Sequence, residues 1–592
     1  MPRLHLKGCF TMKQKLFTFL NFTCVLLLLT TACKKSKSGG EVDPPIVNPP
    51  DEEIKPQNDP ALAATIGFFM NDWQPKTFTP PATTNNVTPP ATTNATITVD
   101  RSEVISKVPT TLFSNNANTW MTQMVNQPVL MNHLTKNKPG FIRFPGGSIS
   151  DIFFWNGQPN TPPADAPDKL VKANGAVEDA GYWFGKNTAD WTLSVDNYYN
   201  MLQQTGNKGL ITINYGYARY GKGTNPVAQA AHLAADWVRY DNGRTQYWEI
   251  GNENFGAWEA GYRINTADNK DGQPEYLTGA LYAQHFKVFA DSMRKAATEI
   301  GKTIYIGAVI LEAEAPTWET NTFKNWNAGV IPGIGNTPDY YVVHSYYTPH
   351  NTNSTAAQIL ATGSANTKHM MQYVKQQLQT YGVTEKPIAL DEWNIFAVGS
   401  KQMVSHVSGL HAVSVLGELL KQKFGFAARW DLANAWENGD DHGWFSQGDE
   451  EGGIPKWTPR PAFYHMYFFQ RFLGDKTVSV ASSNAELEAY ASSYASGQMG
   501  VTLLNNGTTA KSVEVVIKNF LKGNRFYWYT LTGGTDNGEF SRKVFVNGNT
   551  TTLAAGGPDN YLTLAANAAV TTNGIKVAVP ARSAVFIGVD KK

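Results

Sequence analysis

Cysteine is almost missing: the 592 residues hold three, Cys9, Cys24 and Cys33, all near the N-terminus. That count excludes a disulfide framework and a cysteine-ligated metal site in the rest of the chain. Net charge is equally scarce, with 50 Lys+Arg against 49 Asp+Glu. The basic footprint that nucleic acid or an anionic surface requires is therefore absent, and a neutral ligand fits better. There is no tandem repeat, and no glycine-rich dinucleotide fingerprint follows the first predicted strand. The glycines Gly146-Gly147 are followed by Ser148-Ile149-Ser150-Asp151 rather than by the Lys-Ser/Thr pair of a phosphate loop.

The apolar run from Phe17 to Leu29 is too short to span a bilayer comfortably. Lys13 and Lys15 precede it, and Thr30-Thr31-Ala32-Cys33 follows, which resembles a bacterial lipoprotein signal. By that resemblance residues 1–33 form the signal and Cys33 is the lipidation site, so that the protein is exported and meets a membrane, outer membrane or cell surface, through a lipid anchor alone. An uncleaved membrane helix is the alternative, disfavoured by length. Residues 34–95 turn to Pro, Thr and Asn and read as a tether, within which the more apolar Ala61 to Trp73 could dock as a short helix.

Beyond the tether, short apolar runs alternate with helical periods. Thr111-Leu112-Phe113, Phe141–Phe144, Leu210–Ile213, Tyr247–Ile250, Ile304–Ile306, Tyr341–Val343, Ile388–Leu390 and Phe426–Ala428 read as eight strands. Between them Phe286, Phe289, Met293, Ala297 and Ile300 fall on one helical face before Gly301, and Val374 and Leu378 do the same before Gly382. Such a succession predicts an α/β chain with a (β/α)8 TIM barrel over residues 96–460. An open doubly wound sheet is the runner-up. Residues 461–592 alternate as antiparallel strands, for example 500–504, 512–517 and 584–587, and predict a C-terminal β-sandwich that residues 96–108 could complete.

Two glutamates stand where barrel chemistry is placed, at strand C-terminal ends. Glu253 follows the fourth predicted strand in Gly251-Asn252-Glu253-Asn254, and Glu392 ends the seventh in Asp391-Glu392-Trp393-Asn394. Paired carboxyls can cleave a glycosidic bond, one protonating the leaving oxygen and the other attacking the anomeric carbon. The abundant aromatics, 12% of the chain with 16 Trp, would suit sugar faces, although core packing explains most of them.

The two motifs resemble those of glycoside hydrolase family 51, the α-L-arabinofuranosidases, over the barrel and more weakly over the sandwich. The resemblance implies a retaining hydrolase acting on carbohydrate without a cofactor or metal, with Glu253 as acid/base and Glu392 as nucleophile. It implies further that Asn252 meets the sugar 2-hydroxyl, that Arg143 keeps the nucleophile ionised, and that His344 and Tyr346 lie near it, Tyr346 hydrogen-bonding Glu392. Asn214, ending the third strand, and Trp436, after the eighth, are candidate sugar contacts.

Where the family follows the two glycines with Asn, this chain has Ser148, and its third strand ends in Asn214-Tyr215-Gly216-Tyr217 rather than in smaller residues. Both loops flank the expected sugar pocket. An endo-acting β-glucanase or xylanase is therefore the alternative, with Tyr215, Tyr217 and Tyr220 lining a longer cleft. A carbohydrate-binding surface lipoprotein without catalysis is a further one. Glu249, Glu259 and Asp391 read as solvated or salt-bridged carboxylates. The acidic stretches Asp440-Asp441 and Asp449-Glu450-Glu451 miss calcium-loop spacing and read as solvated loops.

Overall fold

The computed structural model describes residues 54–592 apart from 139, 351, 438–440 and 535–538. The signal, Cys33 and the first part of the tether lie outside the described residues. Among the described residues no helix is long and apolar enough to cross a membrane.

Eight parallel strands close into a barrel: Ser114–Asn116, Phe141–Phe144, Lys208–Ile213, Tyr247–Ile250, Tyr305–Val309, Tyr340–Tyr346, Ile388–Asn394 and Phe426–Arg429. Each pairs in parallel with its neighbours, and the eighth closes on the first through Ala428 and Arg429 beside Ser114 and Asn115. Helices cross between strands and are bounded as their sequence dictates. Thr278 caps Gly279–Glu299, whose buried face is Phe286, Phe289, Met293 and Ala297, and Gly301 follows with a φ of 65°. A capping box of Thr355 and Gln358 opens Ala356–Thr380, which buries Val374 and Leu378.

The first strand corrects the sequence reading. Thr110–Phe113 is a 3-10 turn after Pro109, and the strand is the next three residues, Ser114-Asn115-Asn116. These polar side chains are fully buried, and Asn116 finds its partners in the barrel interior: its Nδ2 donates to the Asp391 carbonyl at 3.0 Å and its Oδ1 accepts from Arg143. An apolar-run criterion passes over such a strand.

The tether reading also needs correction from residue 54 on, because this segment lies against the folded body. The 3-10 turn Gly67–Met70 sits at the start of the barrel strands, where Phe69 packs on Tyr247, Tyr340 and Phe426 with ring centroids 5.2–5.6 Å apart. Phe68 stacks on Tyr305 at 3.9 Å, and the Thr65 carbonyl accepts from Ile388 N, the first residue of the seventh strand. The barrel base is aromatic and needs a cover, and these few apolar residues inside a Pro/Thr/Asn-rich stretch supply it. Phe69→Ala is expected to destabilise the protein by about 3–5 kcal/mol, the usual cost of emptying a buried Phe site, read as a lower denaturation midpoint. An unchanged midpoint would leave the segment without a role in stability.

Pro461–Phe472 is a helix, so the antiparallel strands begin at Lys476 rather than at residue 461. They form an 11-stranded sheet. The sheet curls around its own interior of Ile97, Val99, Val501, Leu503, Phe526, Trp528 and Ile587. The strand Ala95–Lys107, which precedes the barrel, runs antiparallel to Lys476–Ser482 and parallel to Lys511–Lys518. Thr84–Asn86 pairs with Ala566–Val570.

Candidate active site

All the groups singled out at strands two, four, six and seven meet inside the C-terminal mouth of the barrel. The fourth strand stops at Gly251, whose φ of 77° and lack of a Cβ are both needed: a Cβ there would lie 1.8 Å from Asn254 Oδ1. The turn carries Glu253, itself left-handed at a φ of 41°. On the seventh strand the register with both neighbours shifts beside Asp391. The resulting bulge lets two consecutive carboxyls, Asp391 and Glu392, reach the same partners instead of opposite faces.

Arg143 organises the cluster and is fully buried. Its Nε donates to Glu249 Oε2 at 2.8 Å, its Nη1 to Asn116 Oδ1 at 3.0 Å and Glu392 Oε2 at 3.1 Å, and its Nη2 to Asn252 Oδ1 at 2.8 Å. Asp391 Oδ2 lies 3.6 Å from Nε. Tyr346 Oη donates to the other oxygen of Glu392 at 2.8 Å. His344 bridges the two candidate catalytic carboxyls, its Nδ1 2.9 Å from Glu253 Oε1 and 3.9 Å from Glu392 Oε2, while Nε2 faces Asp391 Oδ1 at 3.1 Å. Carboxylate oxygens of Glu253 and Glu392 lie within 4.8 Å of one another.

Burial and charge pull these groups in different directions. Burial works to raise the Glu249 carboxyl, but Arg143 and His344 outweigh it and bring the pKa down to about 2. Burial, reinforced by Glu249, pushes Asp391 up to about 6 against Arg143 and His344. Glu392 is also raised by burial and by Glu253, with His344, Arg143 and Tyr346 opposing. Burial would lower His344, yet Glu392 and the hydrogen-bonding carboxyls raise it well above the ordinary imidazole value. Glu253, His344 and Glu392, like Glu249, His344 and Asp391, offer ligand atoms at metal-binding separations. The Arg143 guanidinium stands among Glu249, Asp391 and Glu392 as their cation.

Other sequence candidates have contacts of their own. Asn214 is spent on the fold, donating to the Phe153 carbonyl and to Tyr220 Oη and accepting from Tyr217 N. Tyr215, Tyr217 and Tyr220 are buried rather than lining a cleft, their hydroxyls engaged by His285, Asp165 and the Asp151 carbonyl. Trp436 has Arg460 and Arg542 against its ring, at 6.0 and 5.2 Å, and its backbone N bonds Asp449. Asp441 and Glu450 are not solvated loop charges: Arg460 pairs with them at 2.6 and 3.1 Å, and Arg542 with Glu450 at 2.7 Å. Glu249 and Asp391 are the buried salt-bridged carboxylates described above. Glu259 is buried too, and its hydrogen-bond donors are both neutral, Ser148 Oγ at 2.8 Å and Asn252 Nδ2 at 3.0 Å.

Sequence reasoning missed three groups at the mouth of the barrel. Trp258 donates through Nε1 to Glu253 Oε2 at 3.0 Å while its side chain remains 52% exposed, and its place five residues after Glu253 was the available signal. Glu312 follows the fifth strand, where Asn327 clamps the N–H and carbonyl of Leu311 at 2.8 and 3.0 Å. Burial and the charge of Glu253 raise Glu312 to about 7. Trp430, after the eighth strand, lies against Gly146 and Gly147, where a Cβ on Gly147 would meet the indole at 2.5 Å.

Comparison with known proteins agrees with this geometry. Residues 133–363 match the family described as the Alpha-L-arabinofuranosidase 1 domain. No curated protein matches the chain. Among solved structures, the alpha-L-arabinofuranosidase of Thermotoga maritima is 18% identical, with 84% of this chain and 100% of that chain covered and a TM-score of 0.56. The family 51 enzyme of Thermotoga petrophila is 17% identical over the same shares, with a TM-score of 0.58. A bifunctional glucanase-xylanase from a metagenome library is 12% identical, covering 84% and 99%, with a TM-score of 0.55. By the domain match and by its fold of barrel plus curled sheet, the chain is similar to the α-L-arabinofuranosidases of glycoside hydrolase family 51.

Proposed function

We propose that the protein is a retaining glycoside hydrolase, with Glu392 as nucleophile and Glu253 as acid/base. The separation of the two carboxylates carries the reading. Facing oxygens within 4.8 Å of one another are closer to the spacing of about 5–5.5 Å between carboxyls that attack and protonate in turn than to the about 6.5–9.5 Å that inverting enzymes keep for a water. In the first step Glu392 bonds to the anomeric carbon while Glu253 gives its proton to the departing oxygen. In the second, Glu253 takes a proton from water, whose oxygen displaces Glu392 from the sugar. Arg143 and Tyr346 each hold one oxygen of Glu392, which fixes its aim and balances its charge. Asn252, beside Glu253, is suited to the sugar 2-hydroxyl.

The first-choice substrate is an α-L-arabinofuranoside, supported by the domain match. An endo-acting glucanase or xylanase is the second reading, favoured by the half-exposed Trp258 ring on the acid/base side, where a longer leaving chain would lie. The presence of both glutamates speaks against a purely binding protein. Hydrolysis of nitrophenyl glycosides and of plant polysaccharides by the purified protein tests all three. Release of arabinose supports the first, internal cleavage of glucan or xylan the second, and binding without cleavage of any substrate contradicts the enzymatic reading.

The signal-like N-terminus adds a proposal on location, that Cys33 is acylated and tethers the protein to a membrane. Cys33→Ser is expected to release the protein into a soluble fraction or to stop its processing. Membrane association unchanged by the substitution would contradict the anchor.

A further inference from the structure

Glu259 stands outside the mechanism above, yet it ties two of the site's loops together. Ser148 Oγ and Asn252 Nδ2 both donate to its Oε1, and its Oε2 is buried without a partner. Asn252 is held at its other end by Arg143 Nη2, which donates to Oδ1 at 2.8 Å. The amide is thus oriented from both sides. A half-turn would set its NH2 against the guanidinium and its oxygen against Glu259 Oε1, donor facing donor and acceptor facing acceptor. With one Nδ2 hydrogen on Glu259, the second remains for a bound sugar.

Ser148 reaches Glu259 because the loop before it is pinned from the opposite side. Gly146 and Gly147 have φ values of 75° and 58°, and their bare backbones let the Trp430 indole lie against them. The loop after the second strand is therefore pressed between Trp430 and Glu259, which also grips the turn after the fourth strand.

We propose that Glu259 is a positioning residue for the glycosidase reaction, setting the Asn252 amide and the Ser148 loop in register with the bound sugar. The inference rests on the reading of Glu253 and Glu392 as the reacting pair. Burial and the nearby carboxyls of Asp151 and Glu253 push the Glu259 pKa well above its ordinary value, and the atom the site uses is Oε1, which accepts both hydrogen bonds. Glutamine reproduces the side chain's shape and that acceptor; alanine does not.

The test uses an aryl glycoside that the wild-type protein hydrolyses and its 2-deoxy counterpart. Glu259→Ala is expected to lose about 10²-fold in kcat on the 2-hydroxy substrate, with KM little changed, as misplaced reacting groups do. On the 2-deoxy substrate it should match the wild type, and Glu259→Gln should stay near wild type on both. Should the alanine variant fail to fold, Glu259→Met, which fills the volume without accepting a hydrogen bond, carries the same expectation. Equal losses on the two substrates, no loss in the apolar variants, or a glutamine variant as impaired as they are would each overturn the proposal. Wild-type turnover of the 2-hydroxy substrate is the control: its absence sinks the glycosidase reading itself.

Discussion

Glu392→Ala is expected to abolish turnover of every glycoside, whatever its leaving group, whereas Glu253→Ala should spare the first step for leaving groups that need no proton. The difference follows from the two roles. Without Glu392 no atom remains to bond the anomeric carbon, a loss on the order of 10⁶-fold in kcat for a missing nucleophile. Without Glu253 a dinitrophenyl glycoside still forms the glycosyl-enzyme, but water then lacks a base, so turnover falls by about 10²–10⁴-fold and the intermediate accumulates. Azide needs no base. It should discharge the intermediate in Glu253→Ala and give a glycosyl azide with the starting anomeric configuration. Rescue of Glu392→Ala instead would exchange the two assignments.

Arg143→Ala should be the most damaging change away from the reacting pair, because it acts on stability and on the nucleophile together. The substitution strands Glu249, Asp391 and Glu392 in a buried site without the guanidinium that now lies within 3.6 Å of each. Breaking a buried ion pair in this way costs about 3–5 kcal/mol. Glu392 must be ionised to attack, and its pKa already stands above the ordinary value because burial and Glu253 outweigh His344, Arg143 and Tyr346. Activity is therefore lost as pH falls through that pKa. Removing Arg143 takes away one of the opposing influences, so the acidic limb of kcat/KM should move to higher pH and turnover at a given acidic pH should drop. A variant with wild-type melting and an unmoved limb would separate Arg143 from both roles. Lysine should restore the charge but not the fork that meets Glu249, Asn116, Glu392 and Asn252 at once.

Seven of the eight barrel strands were legible because they are apolar runs of the ordinary kind, buried on both faces. The first was not, since Ser114-Asn115-Asn116 is polar yet buried, and Asn116 owes its place to partners on other strands that no local pattern displays. Glu253 and Glu392 could be read because each lies at the C-terminal end of an apolar run in a compact motif. Glu259 could not: its value lies in touching Ser148 and Asn252, 111 and 7 residues away in sequence. Tyrosines 215, 217 and 220 misled in the opposite sense, since spacing alone does not tell a cleft wall from a core whose hydroxyls are satisfied by Asp165, His285 and a carbonyl. In residues 54–94 the apolar stretch Ala61 to Trp73 was legible as a docking element, but composition spoke for a tether around it, where buried Phe78 shows docking as well.

The stereochemistry of hydrolysis tests the central claim most directly. Proton NMR during the first minutes of wild-type hydrolysis, before mutarotation, reads the anomeric configuration of the released sugar. Two displacements by Glu392 and then water at one carbon predict product with the configuration of the substrate; product of inverted configuration would contradict the assignment of Glu392 as nucleophile.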